Sequence, residues 1–245
     1  MRYLLTGRGQ QALCEHLRTQ PLIAFDFDGT LAPIAPTPDV VELLPQVRAQ
    51  LVAVARRMPV IIVSGRGRED AMQRVVGIPV REVYGNHGIE PTHASPELIE
   101  TVAGWGRTLA ARLDGQQGVW IEDKRYSVTI HYRAAPMPGR AQAAAQAAAS
   151  TLSGVRLIPG KLSINVVPAG AADKGLALLE AQEQQGCATA IYFGDDETDE
   201  DVFARCDPER VLGVRIGRQE GSHARFFLRN QAEIEQALQL LRGER

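Results

Sequence analysis

Residues 22–31, Leu-Ile-Ala-Phe-Asp-Phe-Asp-Gly-Thr-Leu, constrain the fold of this chain more than any other stretch. Leu22, Ile23, Ala24 and Phe25 are apolar without alternation, the pattern of a strand in a parallel sheet covered on both faces. The run breaks at Asp26-Phe27-Asp28-Gly29-Thr30, so the strand delivers two acids to its carboxyl end, where open α/β sheets gather their ligands. Side chains two apart on an extended chain point the same way, and Asp26 and Asp28 are therefore expected to face one small volume. Carboxylates that close repel unless one is protonated or a cation lies between them. A hard divalent cation with oxygen ligands is expected, Mg²⁺ above all. Solvated acids at a strand-to-turn junction would explain a bare Asp-x-Asp. The longer Asp-x-Asp-Gly-Thr string after an apolar strand is a specific signature and favours a site.

Further strands of the same buried kind are expected at residues 59–63, 80–84, 189–193 and 211–216, with helical patterns between them. Residues 2–20 read as an amphipathic lead-in helix closed by Pro21. Pro33, Pro36 and Pro38 predict a stiff loop, and Asp39 a cap for a helix reaching about Met58. Three later strand ends carry polar residues. Ser64-Gly65-Arg66 precedes a helix, where Ser64 is either a plain helix cap or, beside free helix N–H groups, a phosphate contact. Gly85-Asn86-His87-Gly88 is a tight turn in which Asn86 and His87 either satisfy the turn or reach a sugar hydroxyl. Residues 195–201 carry six acids in seven positions, either a solvated helix start or a second delivery of carboxylates to a strand end. Lys174 opens a helix, a position the macrodipole disfavours, so a phosphate or an aspartate partner is expected for it.

Between about 91 and 169 the periodicity changes. Two helical stretches, 96–113 and an alanine-rich 139–152, alternate with four strand-like runs of period two. In these runs Val128, Ile130, Ile164 and Val166 oppose Ser127, Thr129, His131, Arg133, Ser163 and Asn165. This is an antiparallel sheet with helices on its apolar side and a polar face that is either wet or ligand-reading. The organisation expected is a core of residues 1–90 and 170–245 with an inserted α+β unit of residues 91–169.

The Asp-x-Asp-Gly-Thr string resembles the nucleophile motif of the haloacid dehalogenase superfamily. Ser64-Gly65-Arg66, Gly85-x-His87-Gly88, Lys174-Gly175 and Gly194-Asp195-Asp196-x-Thr198-Asp199 follow in the order found in trehalose-6-phosphate phosphatases. Glu122-x-Lys124 with His131-Tyr132-Arg133 is similar to their cap. The resemblance implies a three-layer, Rossmann-like α/β core with an α+β cap, and a Mg²⁺-dependent phosphatase acting through an aspartyl phosphate. It implies Asp26 as nucleophile and Asp28 as general acid and base. Ser64, Gly65, Arg66 and Lys174 would hold phosphate. Asp26, Asp28 and Asp195 would hold the metal, supported by Asp196 and Asp199. Glu122 and Lys124 would read the sugar, Asn165 and Arg133 are further candidates on the same polar face, and Asn86 and His87 would bind the sugar or position the cap. One position departs: where the family usually has a Glu before the Pro of the cap's last strand, this chain has Asn165. A phosphatase or phosphomutase for another glycosyl phosphate, and a phospho-sugar-binding regulatory module without turnover, are the rival readings.

Composition narrows the partners. A formal charge of −2, with both signs spread along 245 residues, leaves no basic stripe for nucleic acid. Cys14, Cys187 and Cys206 are far apart and odd in number, which suits reduced thiols in a cytoplasmic protein rather than a disulfide framework. No apolar run reaches the roughly 18 residues of a membrane span. A monomer acting on a small sugar phosphate is expected.

Overall fold

The computed structural model describes residues 1–35 and 40–243. Pro36, Pro38 and the Asp39 cap lie outside the described residues. Strands run β1 (Arg2–Tyr3), β2 (Leu22–Phe25), β3 (Val60–Val63), β4 (Glu82–Tyr84), β5 (Trp120–Asp123), β6 (Val128–His131), β7 (Val155–Gly160), β8 (Ser163–Pro168), β9 (Ala190–Gly194), β10 (Val211–Ile216) and β11 (Phe226–Leu228). Helices are α1 (Gly7–Leu17), α2 (Pro45–Ala55), α3 (Arg68–Arg74), α4 (Pro96–Arg112), α5 (Pro138–Ala149), α6 (Lys174–Gln185), α7 (Glu200–Arg205) and α8 (Ile234–Leu241). The chain packs as two compact units, Met1–Gly88 with Asp173–Arg245, and Ile89–Ala172.

The larger unit is built on a parallel sheet of order β1-β11-β10-β9-β2-β3-β4. Its central strands β2, β3 and β9 carry no charged residue and are buried at every position because both faces are covered. Ile23, Phe25, Val60, Ile62, Ile191 and Phe193 join Leu13, Leu51, Val54 and Leu238, from α1, α2 and α8, in one apolar cluster. The alternate residues Leu22, Ala24, Ile61, Val63, Ala190 and Tyr192 join Leu178, Ala181 and Val202, from α6 and α7, in another. Helices on both faces of a parallel sheet make the three-layer α/β architecture expected. Each such side chain, fully buried, contributes roughly 1.5–3 kcal/mol of hydrophobic stabilisation before entropy is counted.

The order also locates the site. From β2 the chain steps through β3 to β4 on one side, whereas β9, β10 and β11 succeed one another on the other. The strand order therefore reverses between β2 and β9, which pair directly, Phe25 opposite Phe193. A crevice opens outside the carboxyl ends of strands at such a point. Asp26 follows the last residue of β2, and Asp195 follows the last residue of β9.

Two local expectations are corrected. Residues 2–20 are not one helix: Arg2 and Tyr3 add a strand to the sheet edge, paired with Phe226 and Phe227, and α1 begins only at Gly7 behind a Thr6 cap. A two-residue strand made by pairing with the far end of the chain has no local periodicity to betray it. Helix α2 begins at Pro45, with proline in its first turn where the missing N–H costs nothing.

The smaller unit is an antiparallel sheet of order β5-β6-β8-β7. Val102, Trp105 and Leu109 of α4, with Ala141 and Ala145 of α5, pack on Val128, Ile130, Ile164 and Val166. The register places Glu122, Thr129 and Asn165 in one cross-strand row and Trp120, His131 and Ser163 in the next. Among the described residues no helix is long and apolar enough to cross a membrane.

Candidate active site

Three carboxylates meet at the β2/β9 crevice. Asp26, Asp195 and Asp199 are all buried, and one oxygen of each lies within 4.8 Å of the others. Lys174, fully buried at the start of α6, donates to Asp26 Oδ1 at 2.9 Å and to Asp199 Oδ1 at 2.8 Å. The aspartate partner predicted for this lysine is thus present twice. Asp173 makes the helix start possible, its side chain accepting from the Leu176 N–H at 2.9 Å while ion-paired with Arg205. Burial works against the Lys174 charge, but Asp199 and Asp26 outweigh it and raise its pKa. Asp26 moves up too. Its own burial is the largest cause, Lys174 opposes it, and the Asp199 and Asp195 charges add to it.

Asp199 organises the loop after β9. Its Oδ2 accepts the N–H groups of Asp195 and Asp196, each at 2.8 Å, and its Oδ1 accepts the Tyr192 hydroxyl at 2.6 Å besides Lys174. The sequence expectation gave Asp195 the metal, with Asp196 and Asp199 in support. The structure brings Asp199 into the carboxylate cluster itself, and Asp196 caps the short turn Glu197–Asp199. Gly29, at φ +86°, packs so closely on Asp195 that a Cβ there would sit 2.2 Å from Asp195 Oδ2. Glycine is therefore required both for the turn and for the approach of the two strand-end loops.

A divalent cation fits this donor set. Three buried carboxylates facing one ammonium leave an excess of negative charge in a dry pocket, and all donors are hard oxygens. Asp26 and Asp195 are the carboxylates placed to hold it, with Asp199, whose two oxygens already accept four hydrogen bonds, beside them in support.

Asp28 is a correction. Its carboxylate does not join the cluster but receives two hydrogen bonds from Arg66, from Nε at 2.6 Å and Nη2 at 2.7 Å. β2 ends at Phe25, so the alternation rule that placed Asp26 and Asp28 side by side lapses before it reaches Asp28. Arg66, expected on phosphate, is committed to Asp28 and, through Nη1 at 2.6 Å, to Asp70, and it lies 5.7 Å from the centre of the Phe27 ring. Burial disfavours its charge, and those two acids more than restore it.

Ser64 is fully buried one residue past β3, its hydroxyl accepting the Arg66 N–H at 3.1 Å. Gly65 stands between them under the His87 ring, where a Cβ would meet His87 Cε1 at 2.5 Å. Asn86 is wholly buried and His87 nearly so. Their backbones brace the Ser64 loop, Asn86 N–H donating to Arg66 O and His87 N–H to Ser64 O.

On the smaller unit, Glu122 Oε2 lies 2.8 Å from His131 Nε2 and 3.7 Å from Lys124 Nζ. Asn165 shares the Glu122 face, and its Oδ1 accepts the Thr129 hydroxyl at 2.7 Å. Arg133 reaches the β7–β8 turn, donating to Lys161 O at 3.0 Å.

Sequence reasoning missed Tyr192 and Arg215. Arg215 is a charged residue inside the otherwise apolar strand β10 and is almost wholly buried, which requires partners. It donates to the carbonyls of Asp195 at 2.8 Å and Asp196 at 3.0 Å, and also engages Glu200 and Gln219. The guanidinium clamps the backbone that carries the acids. Outer partners of metal ligands typically matter 10–100-fold in affinity. If the cluster holds a divalent cation, Arg215→Met is expected to weaken its binding, measured by calorimetry, about tenfold or more, and Arg215→Lys less. Unchanged affinity in a folded Arg215→Met protein would remove Arg215 from this role.

A parallel sheet whose strand order reverses beside a pair of acid-bearing loops, with a separate antiparallel α+β unit, defines a haloacid-dehalogenase-type core. The chain is similar to the C-terminal domain of trehalose-6-phosphate phosphatase from Candida albicans, with a TM-score of 0.78 at 20% identity over 96% of this chain and 97% of that one. It is also similar to the C-terminal domain of a Candida albicans trehalose synthase regulatory protein, with a TM-score of 0.71 at 14% identity over 95% and 97%. These two likenesses speak to fold. In sequence, a trehalose-phosphate phosphatase of Mycobacterium avium is 35% identical over 211 residues, covering 80% of this chain and 54% of that protein. The chain thus spans about half the length of the curated relatives it matches. The family model described as trehalose-phosphatase matches residues 24–231, most of the chain. The chain belongs to the trehalose-phosphatase family.

Proposed function

We propose that this chain is a Mg²⁺-dependent phosphatase that hydrolyses trehalose 6-phosphate to trehalose and phosphate through an aspartyl phosphate on Asp26. The observation that carries the reading is the buried Lys174 bridging Asp26 and Asp199 beside Asp195, within a chain of the trehalose-phosphatase family. Asp26 attacks phosphorus, and the bond from phosphorus to the sugar oxygen breaks as that oxygen takes a proton from Asp28. A water then gives its proton to Asp28 and attacks phosphorus, the bond to Asp26 breaks, and inorganic phosphate leaves. When bound, Mg²⁺ supplies positive charge against the phosphoryl oxygens. Lys174 holds Asp26 in place and adds its own charge, and Ser64 offers a hydroxyl to the phosphoryl group. Arg66 keeps Asp28 oriented by a two-point hydrogen bond. The polar face of the smaller unit reads the sugar through Glu122 and Lys124, so residues 91–169 serve as a cap.

A second reading, hydrolysis of another glycosyl phosphate, has Asn165 in its favour. That residue is uncharged, where the family usually has an acid, and its carbonyl is already engaged by Thr129. The test is phosphate release with Mg²⁺ across a panel of sugar phosphates and p-nitrophenyl phosphate. Trehalose 6-phosphate should lead the panel, and Glu122→Ala should reduce its kcat/KM by tenfold or more while sparing the aryl ester within about twofold, since sites built around hydroxyl groups discriminate strongly. A tenfold preference for a different sugar would overturn the substrate, and absence of phosphate release from every member would overturn the reaction.

A further inference from the structure

We infer that Trp120 is an aromatic platform for a pyranose ring of the substrate, extending the sugar-reading row of the smaller unit beyond its charged residues. The inference rests on the proposed role of that polar face and adds a subsite of different chemistry.

The chain has two tryptophans. Trp105 is buried among the apolar residues of the smaller unit, as a large aromatic normally is. Trp120 is 47% exposed although it sits in a regular strand. It lies two residues before Glu122 on β5 and so shares its face of the sheet. Directly across the ladder is His131, and the two rings are stacked, with centres 3.9 Å apart and planes 11° from parallel. His131 in turn meets Glu122, which lies near Lys124. Indole, imidazole, carboxylate and ammonium thus form one continuous row.

Stacking on His131 fixes the orientation of the indole and uses one of its faces, so much of the exposed area belongs to the other. A flat apolar surface held rigid costs little conformational entropy on binding. Sugars are amphipathic: hydroxyls project from the rim of a pyranose, and its C–H groups form an apolar face with partial positive charge that suits the electron-rich face of an aromatic ring. Glu122 and Lys124 supply the hydrogen-bonding half of such a site, and Trp120 supplies the apolar half, the mixture usual in small-molecule sites. A cross-strand aromatic pair alone would stabilise the sheet without needing so large or so exposed a ring.

The experiment uses Trp105→Phe, in which Trp120 is the sole indole, together with Trp120→Ala and Trp120→Phe. Titration of Trp105→Phe with the preferred sugar phosphate of the panel, Mg²⁺ withheld, should change indole emission saturably. Trp120→Ala should raise KM for that sugar phosphate about tenfold, with p-nitrophenyl phosphate hydrolysis within twofold of wild type, and Trp120→Phe should recover most of the loss. Unchanged emission, an unchanged KM in Trp120→Ala, or equal losses on both substrates would overturn the platform while leaving the phosphatase intact. If wild type releases phosphate from the aryl ester but from no sugar phosphate, the sugar-reading face falls and Trp120 with it.

Discussion

Asp26→Asn will abolish phosphate release, by roughly three orders of magnitude or more, while the protein stays folded. An amide neither attacks phosphorus nor serves well as a ligand for a hard cation, and removing the nucleophile of the proposed covalent mechanism would leave only the binding contributions of the site. Retention of the fold follows from electrostatics. Asp26 is buried with Asp199 and Asp195 as neighbours, and burial and those charges already disfavour its ionised form, with Lys174 opposing. Replacing it with a neutral isostere relieves that repulsion and keeps the volume, so the denaturant midpoint should hold or rise. Phosphate release and urea unfolding on the same preparation check both halves. Residual activity above a few per cent would refute the covalent role of Asp26, and a large loss of stability would refute this account of the charge cluster.

Lys174→Met will do the opposite to stability and the same to activity. The ammonium is the buried cation that bridges Asp26 and Asp199, and its removal leaves three carboxylates in a dry pocket without it. Breaking a buried ion pair by deleting one partner typically costs about 3–5 kcal/mol, because the remaining charge is stranded. Set against a total stability of roughly 5–15 kcal/mol, that loss is severe. Urea unfolding should show it, and added Mg²⁺ should restore part of it, since a cation that binds only the folded state stabilises by mass action. A stability loss below about 1 kcal/mol would mean that the cluster is not held together by Lys174. Comparison with Asp26→Asn separates charge from packing, since the two replacements remove opposite signs from one hydrogen bond.

Much of the architecture is legible in the amino-acid sequence. Uninterrupted apolar runs at Leu22–Phe25 and Val60–Val63 identified strands covered on both faces, because no strand with a wet face can be apolar at every position. Strict alternation around Val128–His131 and Ser163–Asn165 identified a sheet of the other kind, and the register follows from it, since a slip of one residue would exchange the two faces. The arrival of acids at the ends of β2 and β9 marked the site, and the resemblance of those motifs to trehalose-6-phosphate phosphatases agrees with the family match.

Contacts that depend on where a strand stops or how a loop returns were beyond the sequence. Asp28 was paired with Asp26 by alternation, but the strand had already ended, and Arg66 took its carboxylate. Asn86 and His87 had the composition of a ligand-facing turn, yet the neighbouring Ser64 loop buries them. Arg215 carried a signal that could have been read, a charge inside an apolar strand, but the carbonyls it clamps are 19 and 20 residues away and carry no sequence mark. Periodicity reports which face of an element is buried, and so the sequence alone determined the layers and the residue types available for chemistry. It is blind to which buried charges meet. Pairing among Asp26, Lys174, Asp195 and Asp199 was decided only when the tertiary structure brought β2, α6 and β9 to one crevice, because an ion pair is set by a few ångströms between side chains as many as 148 residues apart.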